Sequence, residues 1–155
     1  MSRGKRMASN SERFRVKAGS HLLLMKNGRI FMLRRAGTGY GDGMYALIAG
    51  HLDPRETMRE NIIREAREEV GIGIRKNDLK LLHVMHKIGR AEHGLLIFYW
   101  TTKRWTGTPE NREPSKCSGT GWFDQNHLPK NTLPQTRFAL SEIKAGRTYS
   151  EYRKW

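Results

Sequence analysis

Three glutamates stand close together at positions 65, 68 and 69. If this stretch is helical, each residue turns by about 100°, so positions i, i+3 and i+4 fall on one stripe. Glu65, Glu68 and Glu69 would then repel one another by roughly 0.2–0.5 kcal/mol per pair. Carboxylate oxygens are the ligands that Mg²⁺ prefers, usually together with substrate phosphates. The spacing therefore indicates a magnesium platform; the alternative is the solvated acidic face of an amphipathic helix.

The apolar residues of the same stretch predict a helix that packs beside the acidic stripe. The predicted helix begins at Asp53-Pro54 and ends before Gly71, because proline favours the first turn of a helix and glycine the position after its last turn. The expected core face consists of four residues at helical spacing: Ile62, Ile63, Ala66 and Val70. The glutamates would thus lie at the border of the core.

The segment of residues 50–72 resembles the Nudix box, the signature of the Nudix hydrolase family. The box has glycine, five residues, glutamate, seven residues, Arg-Glu, an aliphatic residue, any residue, Glu-Glu, any residue, glycine and an aliphatic residue. The matching positions are Gly50, Glu56, Arg64, Glu65, Ala66, Glu68, Glu69, Gly71 and Ile72. One departure is that Ile48-Ala49 precedes Gly50 where the family usually has Pro-Gly. The resemblance covers roughly residues 13–145 and is greatest to the MutT-like subgroup.

This resemblance implies a divalent cofactor, Mg²⁺ or Mn²⁺, and a role for each residue of the box. The carbonyl of Gly50 and the carboxylates of Glu65, Glu68 and Glu69 would be metal ligands, and Glu65 would also be the base near the attacking water. Glu56 and Arg64 would hold the loop and the glutamates in place. The implied reaction is substitution at phosphorus by water.

Five residues outside the fixed positions of the box are candidates for substrate binding. Glu113 would be a further metal ligand from a distant loop, and Lys116 could reach a phosphate; alternatively both are ordinary exposed loop residues. Arg35 falls where a MutT-like protein has a substrate-facing arginine, and Asn131 where it has an asparagine that reads the base. The alternatives are a solvated strand end for Arg35 and turn chemistry for Asn131. His51 could touch a phosphate or be simply solvated.

The elements around the box predict an α/β fold. Two apolar runs flank Asn27-Gly28 and indicate a β-hairpin. Further strands are expected at residues 45–49, 79–88 and 95–102, followed by a polar loop at 107–121, a short strand at Trp122-Phe123 and a helix at 134–145. We expect a Nudix α/β/α sandwich with a central mixed β-sheet, the box helix on one side and the C-terminal helix on the other. Residues 1–12 are expected to form a flexible basic arm and residues 13–155 a single domain.

Composition narrows the partners and the compartment. The chain of 155 residues has a formal charge of +14, which favours polyanionic partners such as nucleotides or RNA, although solubility alone could explain it. The single Cys117 cannot form an internal disulfide. No apolar run is long enough for a membrane span, and residues 1–17 do not resemble a secretory signal. A cytoplasmic protein without membrane contact is expected.

The predicted function is hydrolysis of a nucleoside-diphosphate-linked compound. The short length, together with Arg35, Glu113 and Asn131, favours a MutT-like enzyme that converts a nucleoside triphosphate to a monophosphate and pyrophosphate. One alternative is an RNA 5′-end pyrophosphohydrolase or decapping enzyme, which the charge motivates. Another is a catalytically silent nucleotide- or RNA-binding module, against which the intact glutamates argue. The preferred base, the number of metal ions and the formation of a homodimer are left open.

Overall fold

The computed structural model describes residues 14–89 and 94–153. The predicted basic arm, residues 1–12, lies outside the described residues. Within them the elements follow in the order β1 (Lys17–Lys26), β2 (Arg29–Arg35), β3 (Tyr45–Ala46), β4 (Ile48–His51), α1 (Met58–Val70), a 3₁₀ turn (Lys76–Asp78), β5 (Leu79–Ile88), β6 (Leu95–Thr102), β7 (Cys117–Asp124), α2 (Pro134–Lys144) and β8 (Tyr149–Arg153).

Strand β1 is the centre of a mixed sheet. The strand order is β3-β2-β1-β6-β5-β8, with β4 paired to β1 and β7 paired to β2. Strand β1 runs parallel to β6 and antiparallel to β2 and β4, and β5 runs parallel to β8. The hairpin between β1 and β2 turns at Asn27 and Gly28, whose φ angles are 51° and 72°. The mixed sheet with helices on both sides confirms the predicted α/β fold class.

The two faces of the sheet bury two separate cores. Leu22 and Leu24 of β1 pack in the core that contains Ile62 and Ala66 of α1. Leu23 points the other way, into the core that contains Ala139 of α2. This alternation is the two-residue period of a strand that is covered on both faces. Helix α1 is thus fixed against the face of β1 opposite α2.

Helix α1 begins later than the sequence predicts. Asp53-Pro54 belongs to a turn in which Arg55 has a φ of 68°, a left-handed backbone that cannot continue into a helix. The helix starts after Thr57, whose hydroxyl accepts from the Glu60 amide while the Glu60 carboxylate accepts from the Thr57 amide. The predicted end is confirmed, because Gly71 has a φ of 74° and caps the helix.

Other features of the predicted pattern were wrong or incomplete. The predicted loop at 107–121 contains the first half of β7, which pairs along the whole of β2 despite Gly119 and Gly121. Strand β8 has no clear apolar alternation and was missed. On α1, Ile62, Ala66 and Val70 are fully buried, whereas Ile63 is only partly buried. Trp122 and Phe123 lie on the predicted strand and pack against the two cores, one on each face.

In the part of the chain that the structure describes, neither helix is long and apolar enough to cross a membrane.

Candidate active site

The guanidinium of Arg64, in the middle of α1, binds four carboxylates. Its Nε and Nη2 donate to the two oxygens of Glu56 at 3.1 and 2.8 Å, and its Nη1 donates to Glu65 at 2.8 Å. Glu68 accepts from Nη1 at 3.2 Å, and Asp53 lies 3.2 Å from Nη2. The planar fork of arginine suits such paired contacts. Arg64 therefore ties the turn before the helix to two glutamates on the helix.

A buried amide completes this connection. Asn61 donates from Nδ2 to the carbonyl of His51 at 2.7 Å and to Glu56 at 3.0 Å. The hydrogen bond from Arg64 is the largest cause that lowers the pKa of Glu56 to about 2. Glu56 is therefore ionised at neutral pH and acts as a fixed anion between strand β4 and the helix. Sequence reasoning missed Asn61; its signal was a polar residue at a helix position adjacent to the core face.

Two glycines give the site its close backbone approach. A Cβ atom built on Gly50 would overlap the carboxyl group of Glu65, so any larger residue there would displace that carboxylate. A Cβ atom on Gly19, in the neighbouring strand, would lie 2.8 Å from the carbonyl oxygen of Gly50. The bare backbone of Gly19 thus leaves room beside that oxygen, which is one of the predicted metal ligands. Sequence reasoning did not single out Gly19, because its role depends on the pairing of β1 with β4.

Glu65 and Glu69 are carboxyl groups whose ionisation is costly in this environment. Burial is the largest cause that raises the pKa of Glu69 to about 8, and the charges of Glu65 and Glu113 add to it. The Ala49 amide, which donates to Glu69 at 2.9 Å, opposes the shift. Burial also raises the pKa of Glu65, against the lowering effect of Arg64. The nearby cations therefore do not fully neutralise the negative charge of these carboxylates.

The loop after β6 brings Glu113 to the same place. The Arg112 amide donates to the carbonyl of Glu69 at 2.9 Å, which attaches the loop to the end of α1. Lys116 pairs with Glu113 at 3.1 Å. Both residues line a small cavity of about 60 Å³ together with Glu69 and Arg35. The predicted loop carboxylate and lysine therefore lie beside the glutamates of the helix.

The oxygen donors fit a hard divalent cation, although they do not form a finished cage. Within residues 14–89 and 94–153, no three acidic, histidine or cysteine side chains are arranged to hold a metal ion. Glu65 and Glu68 are turned to Arg64, and Glu69 is turned to the Ala49 amide. Carboxylates that raise one another's pKa are nevertheless the donor set that suits Mg²⁺ or Mn²⁺. Gly50, Glu65, Glu68, Glu69 and Glu113 could hold such an ion after side-chain rotation.

A larger cavity of about 440 Å³ adjoins this acidic end. Glu69, Gly50 and His51 line one side of it. Arg35 lines both cavities; it donates to the carbonyl of Tyr40 at 2.7 Å and lies over the ring of that tyrosine. The predicted residues Arg35, His51, Glu113 and Lys116 thus surround Glu69.

Asn131 is placed differently from these four residues. Its amide donates to the carbonyl of Gly43 at 2.8 Å, and its own carbonyl accepts from the Tyr45 amide. It does not line either of the two cavities at Glu69. The contacts of Asn131 therefore anchor the loop before β3, and its base-reading role stays a prediction.

Comparison with known proteins identifies the family. The family model described as NUDIX domain matches residues 14–142. The chain belongs to the NUDIX family. The match confirms the resemblance stated from residues 50–72, and it includes α1, all of α2 but its last two residues, all strands but β8, and the glutamates held by Arg64.

NUDIX relatives with named activities differ in their substrates. The NAD-capped RNA hydrolase NudC of Chromobacterium violaceum is 27% identical over 113 residues, which are 73% of this chain and 40% of that protein. The 8-oxo-dGTP diphosphatase of Escherichia coli is 27% identical over 88 residues, 57% of this chain and 66% of that protein. A crystal structure of a MutT NUDIX hydrolase from Burkholderia pseudomallei superposes with a TM-score of 0.76 at 26% identity, covering 83% of this chain and 98% of that chain. The chain thus spans about two fifths of the NudC length and nearly all of the MutT structure.

Replacement of Arg64 is expected to destabilise the fold. Arg64→Ala leaves Glu56 and Glu65, whose side chains are only 14% and 13% exposed, without their cation. Removal of one partner from a mostly buried ion pair costs about 3 kcal/mol. Urea unfolding at pH 7 should therefore show a loss of that size. Arg67→Ala, an exposed position on the same helix, is the control and should change the free energy of unfolding by less than about 0.5 kcal/mol. Equal effects of both substitutions would contradict the role given to Arg64.

Glu69 is expected to make stability depend on pH in the metal-free protein. Its folded pKa of about 8 exceeds the usual 4.5, so the folded state binds the extra proton and loses that advantage as pH rises from 4.5 to 8. Glu69→Gln keeps an acceptor for the Ala49 amide and removes the titration. The gain in unfolding free energy over wild type should be larger at pH 9 than at pH 5, by on the order of 2 kcal/mol. Urea unfolding in EDTA measures it, with exposed Glu110→Gln as control; a pH-independent difference would refute the assignment.

Proposed function

We propose that this chain is a metal-dependent pyrophosphohydrolase that converts a nucleoside triphosphate to a monophosphate and pyrophosphate. One observation carries the proposal: Gly50 and Glu69, beside the Arg64-held glutamates, line one end of a cavity of about 440 Å³. A cavity of this size accommodates a small molecule. The acidic end suits a metal-bound phosphate chain, and the rest of the cavity suits a nucleoside. The relatives named diphosphatase and CTP pyrophosphohydrolase support this reaction class.

The residues of the box would divide the work of hydrolysis. Glu65 would accept the proton of the attacking water, and burial, which raises its pKa, makes it a stronger base than an exposed carboxylate. Glu68, Glu69, Glu65, Glu113 and the Gly50 carbonyl would hold Mg²⁺ or Mn²⁺. A bound divalent ion supplies charge neutralisation at phosphate oxygens and lowers the pKa of a bound water. The water oxygen bonds to one of the two phosphorus atoms of the α–β bridge, the bridging oxygen leaves with the other phosphoryl group, and the proton passes to Glu65.

Cations around the glutamates would bind the rest of the phosphate chain. Arg35 and Lys116 line the small cavity next to Glu69, and His51 lines the larger one. These three positive or titratable groups approach the acidic cluster from the end of β2, the loop before β7 and the end of β4. Arg64 and Glu56 would act through the positions of the glutamates and would not touch the substrate.

RNA carrying a 5′ cap is a second candidate substrate. Two observations favour it: five relatives are named NAD-capped RNA hydrolase NudC, and the net charge of the chain is +14. Binding that neutralises RNA phosphates releases counterions and therefore weakens as salt increases. A cap and a free nucleotide would use the same glutamates. The two candidate substrates differ in whether the RNA chain beyond the cap adds binding affinity.

A nucleotide panel tests the reaction. Purified protein with Mg²⁺ or Mn²⁺ should release pyrophosphate from at least one nucleoside triphosphate, with the monophosphate identified by chromatography. Glu65→Gln should lower kcat by at least about a hundredfold, because it removes the proton acceptor. Glu151→Gln, at an exposed position of β8, serves as a surface control and should retain wild-type rates. Failure to cleave any member of a panel of triphosphates, NAD and capped RNA with either metal would overturn the proposal.

Deletion of residues 1–10 tests the RNA alternative separately. This segment contributes three of the basic residues, Arg3, Lys5 and Arg6. If RNA is the substrate, the truncated protein should bind a capped oligonucleotide more weakly, and the slope of log affinity against log salt should become shallower by about 2–3. Fluorescence anisotropy measures both quantities, and turnover of a free triphosphate is the control. An unchanged affinity and salt slope would leave the free nucleotide as the favoured substrate.

A further inference from the structure

His21 on β1 lines the larger cavity without a hydrogen-bond partner. Among the described residues, no protein group bonds either of its ring nitrogens. Its Nδ1 is closed off from solvent by the surrounding protein. A molecule in the cavity can therefore reach the ring only through Nε2. Nδ1 stays unpaired whatever occupies the cavity, so Nε2 is the ring nitrogen that a bound molecule can satisfy.

A second histidine in the same sheet shows what a structural role requires. His21 on β1, Tyr99 on β6 and His83 on β5 lie opposite one another in the sheet. The ring centre of Tyr99 is 5.0 Å from that of His21 and 5.9 Å from that of His83. Both nitrogens of His83 are occupied, Nδ1 by the carbonyl of Arg147 at 2.8 Å and Nε2 by Ser150 at 2.7 Å. Packing against Tyr99 thus accounts for both rings, but only His83 is satisfied within the protein.

The surroundings of His21 keep its ring uncharged. Burial is the largest cause that lowers its pKa to about 3, and the nearby His51, Lys87 and Arg35 act in the same direction. At neutral pH the ring offers one N–H donor or one nitrogen acceptor, and no positive charge. Such a group suits an uncharged polar partner. A phosphate would instead be drawn to the charges of Arg35 and Lys87. The guanidinium carbon of Arg35 and Nζ of Lys87 lie 5.6 and 5.3 Å from the centre of the Tyr40 ring.

The walls next to His21 are those of a site for a flat, apolar ring with a polar edge. Four aliphatic side chains line the cavity: Leu47, Leu95, Ile97 and Leu133. Gln135, at the start of α2, adds an amide whose oxygen accepts from the Tyr40 hydroxyl at 3.4 Å. Aliphatic walls with a few placed polar groups are typical of sites that fix the orientation of an aromatic ligand. The cavity thus has a phosphate-binding part at Gly50 and Glu69 and, next to it across the β1–β4 pair, an uncharged wall at His21.

We propose that His21 is a specificity-determining residue that hydrogen-bonds the polar edge of the substrate's base through Nε2. The proposal rests on the proposed function, because it takes the substrate to be a nucleotide with its phosphates at Gly50 and Glu69. A site built around such a bond discriminates against bases that leave Nε2 unpaired. His21 would therefore select among nucleotides without taking part in the cleavage.

Binding without turnover is the first test. In ¹⁵N-histidine NMR spectra of the protein with Mg²⁺, a non-hydrolysable nucleoside triphosphate should shift the Nε2 resonance of His21, whereas inorganic triphosphate with Mg²⁺ should not. His83, with both nitrogens bonded, is the internal reference and should stay in place. An equal shift with inorganic triphosphate, or no shift at His21 with any nucleotide, would overturn the proposal. Because no cleavage is needed, this result is independent of whether the proposed hydrolysis occurs.

Substrate preference is the second test. His21→Phe keeps a ring against Tyr99 but removes the hydrogen bond, so the ratio of kcat/KM between the best and poorest base should fall about fivefold or more. The change should appear mainly in KM, since the glutamates are untouched. The exposed pair His127–Asp124 supplies a control, His127→Gln, which should leave the ratio unchanged. A His21→Phe variant that melts like wild type and keeps the wild-type base preference would refute the assignment.

Discussion

The candidate site depends on one electrostatic constraint: several carboxyl groups lie within a few ångströms, and a single guanidinium holds four of them. Arg64 binds Asp53, Glu56, Glu65 and Glu68, and its own position is fixed by the bidentate contact to Glu56. Charge repulsion on one helical turn would otherwise open the turn before α1. The arginine therefore neutralises repelling carboxylates in the folded chain, as a bound metal ion would neutralise the glutamates of the site. It is bound through geometry that a lysine could not reproduce.

This constraint extends from the helix into the sheet. Asn61 and Arg64 both donate to the carbonyl of His51, so β4 is fixed to α1 at the strand end that carries Gly50. On the other side, β4 pairs with β1, where Ser20 lies opposite Gly50 and His21 opposite Ala49. The acidic end of the cavity and the His21 wall are therefore neighbouring positions of one strand pair. Their separation is set by backbone geometry, which varies little, rather than by loops.

The box could be predicted from the sequence because its residues are close along the chain and act through one helix. The spacing of Glu65, Glu68 and Glu69 was sufficient to place them on a shared stripe, and Gly71 was sufficient to end the helix. The start of α1 was not predictable from Pro54, because a capping box at Thr57 and the left-handed Arg55 outweigh a proline signal. Strand β7 was hidden by its glycines, and its pairing with β2 is a long-range effect. The place of Glu113 beside Glu69 also depends on a long-range contact, the Arg112 amide, and only the family resemblance predicted it. His21 was not predicted, because it meets the cavity only through sheet register.

Burial shifts the pKa values of Glu69 and His21, which line the same cavity, in opposite directions. Burial opposes charge on both, and so it raises the pKa of the carboxyl group to about 8 and lowers that of the imidazole to about 3. The charges that act on the two groups differ: Glu65 and Glu113 oppose ionisation of Glu69, whereas His51, Lys87 and Arg35 oppose protonation of His21. An arriving cation would relieve the first group and restore its charge, but no cation would be attracted to the second. The carboxyl group of Glu69 can therefore ionise when a metal-bound phosphate approaches. His21 stays neutral and can distinguish one uncharged base from another.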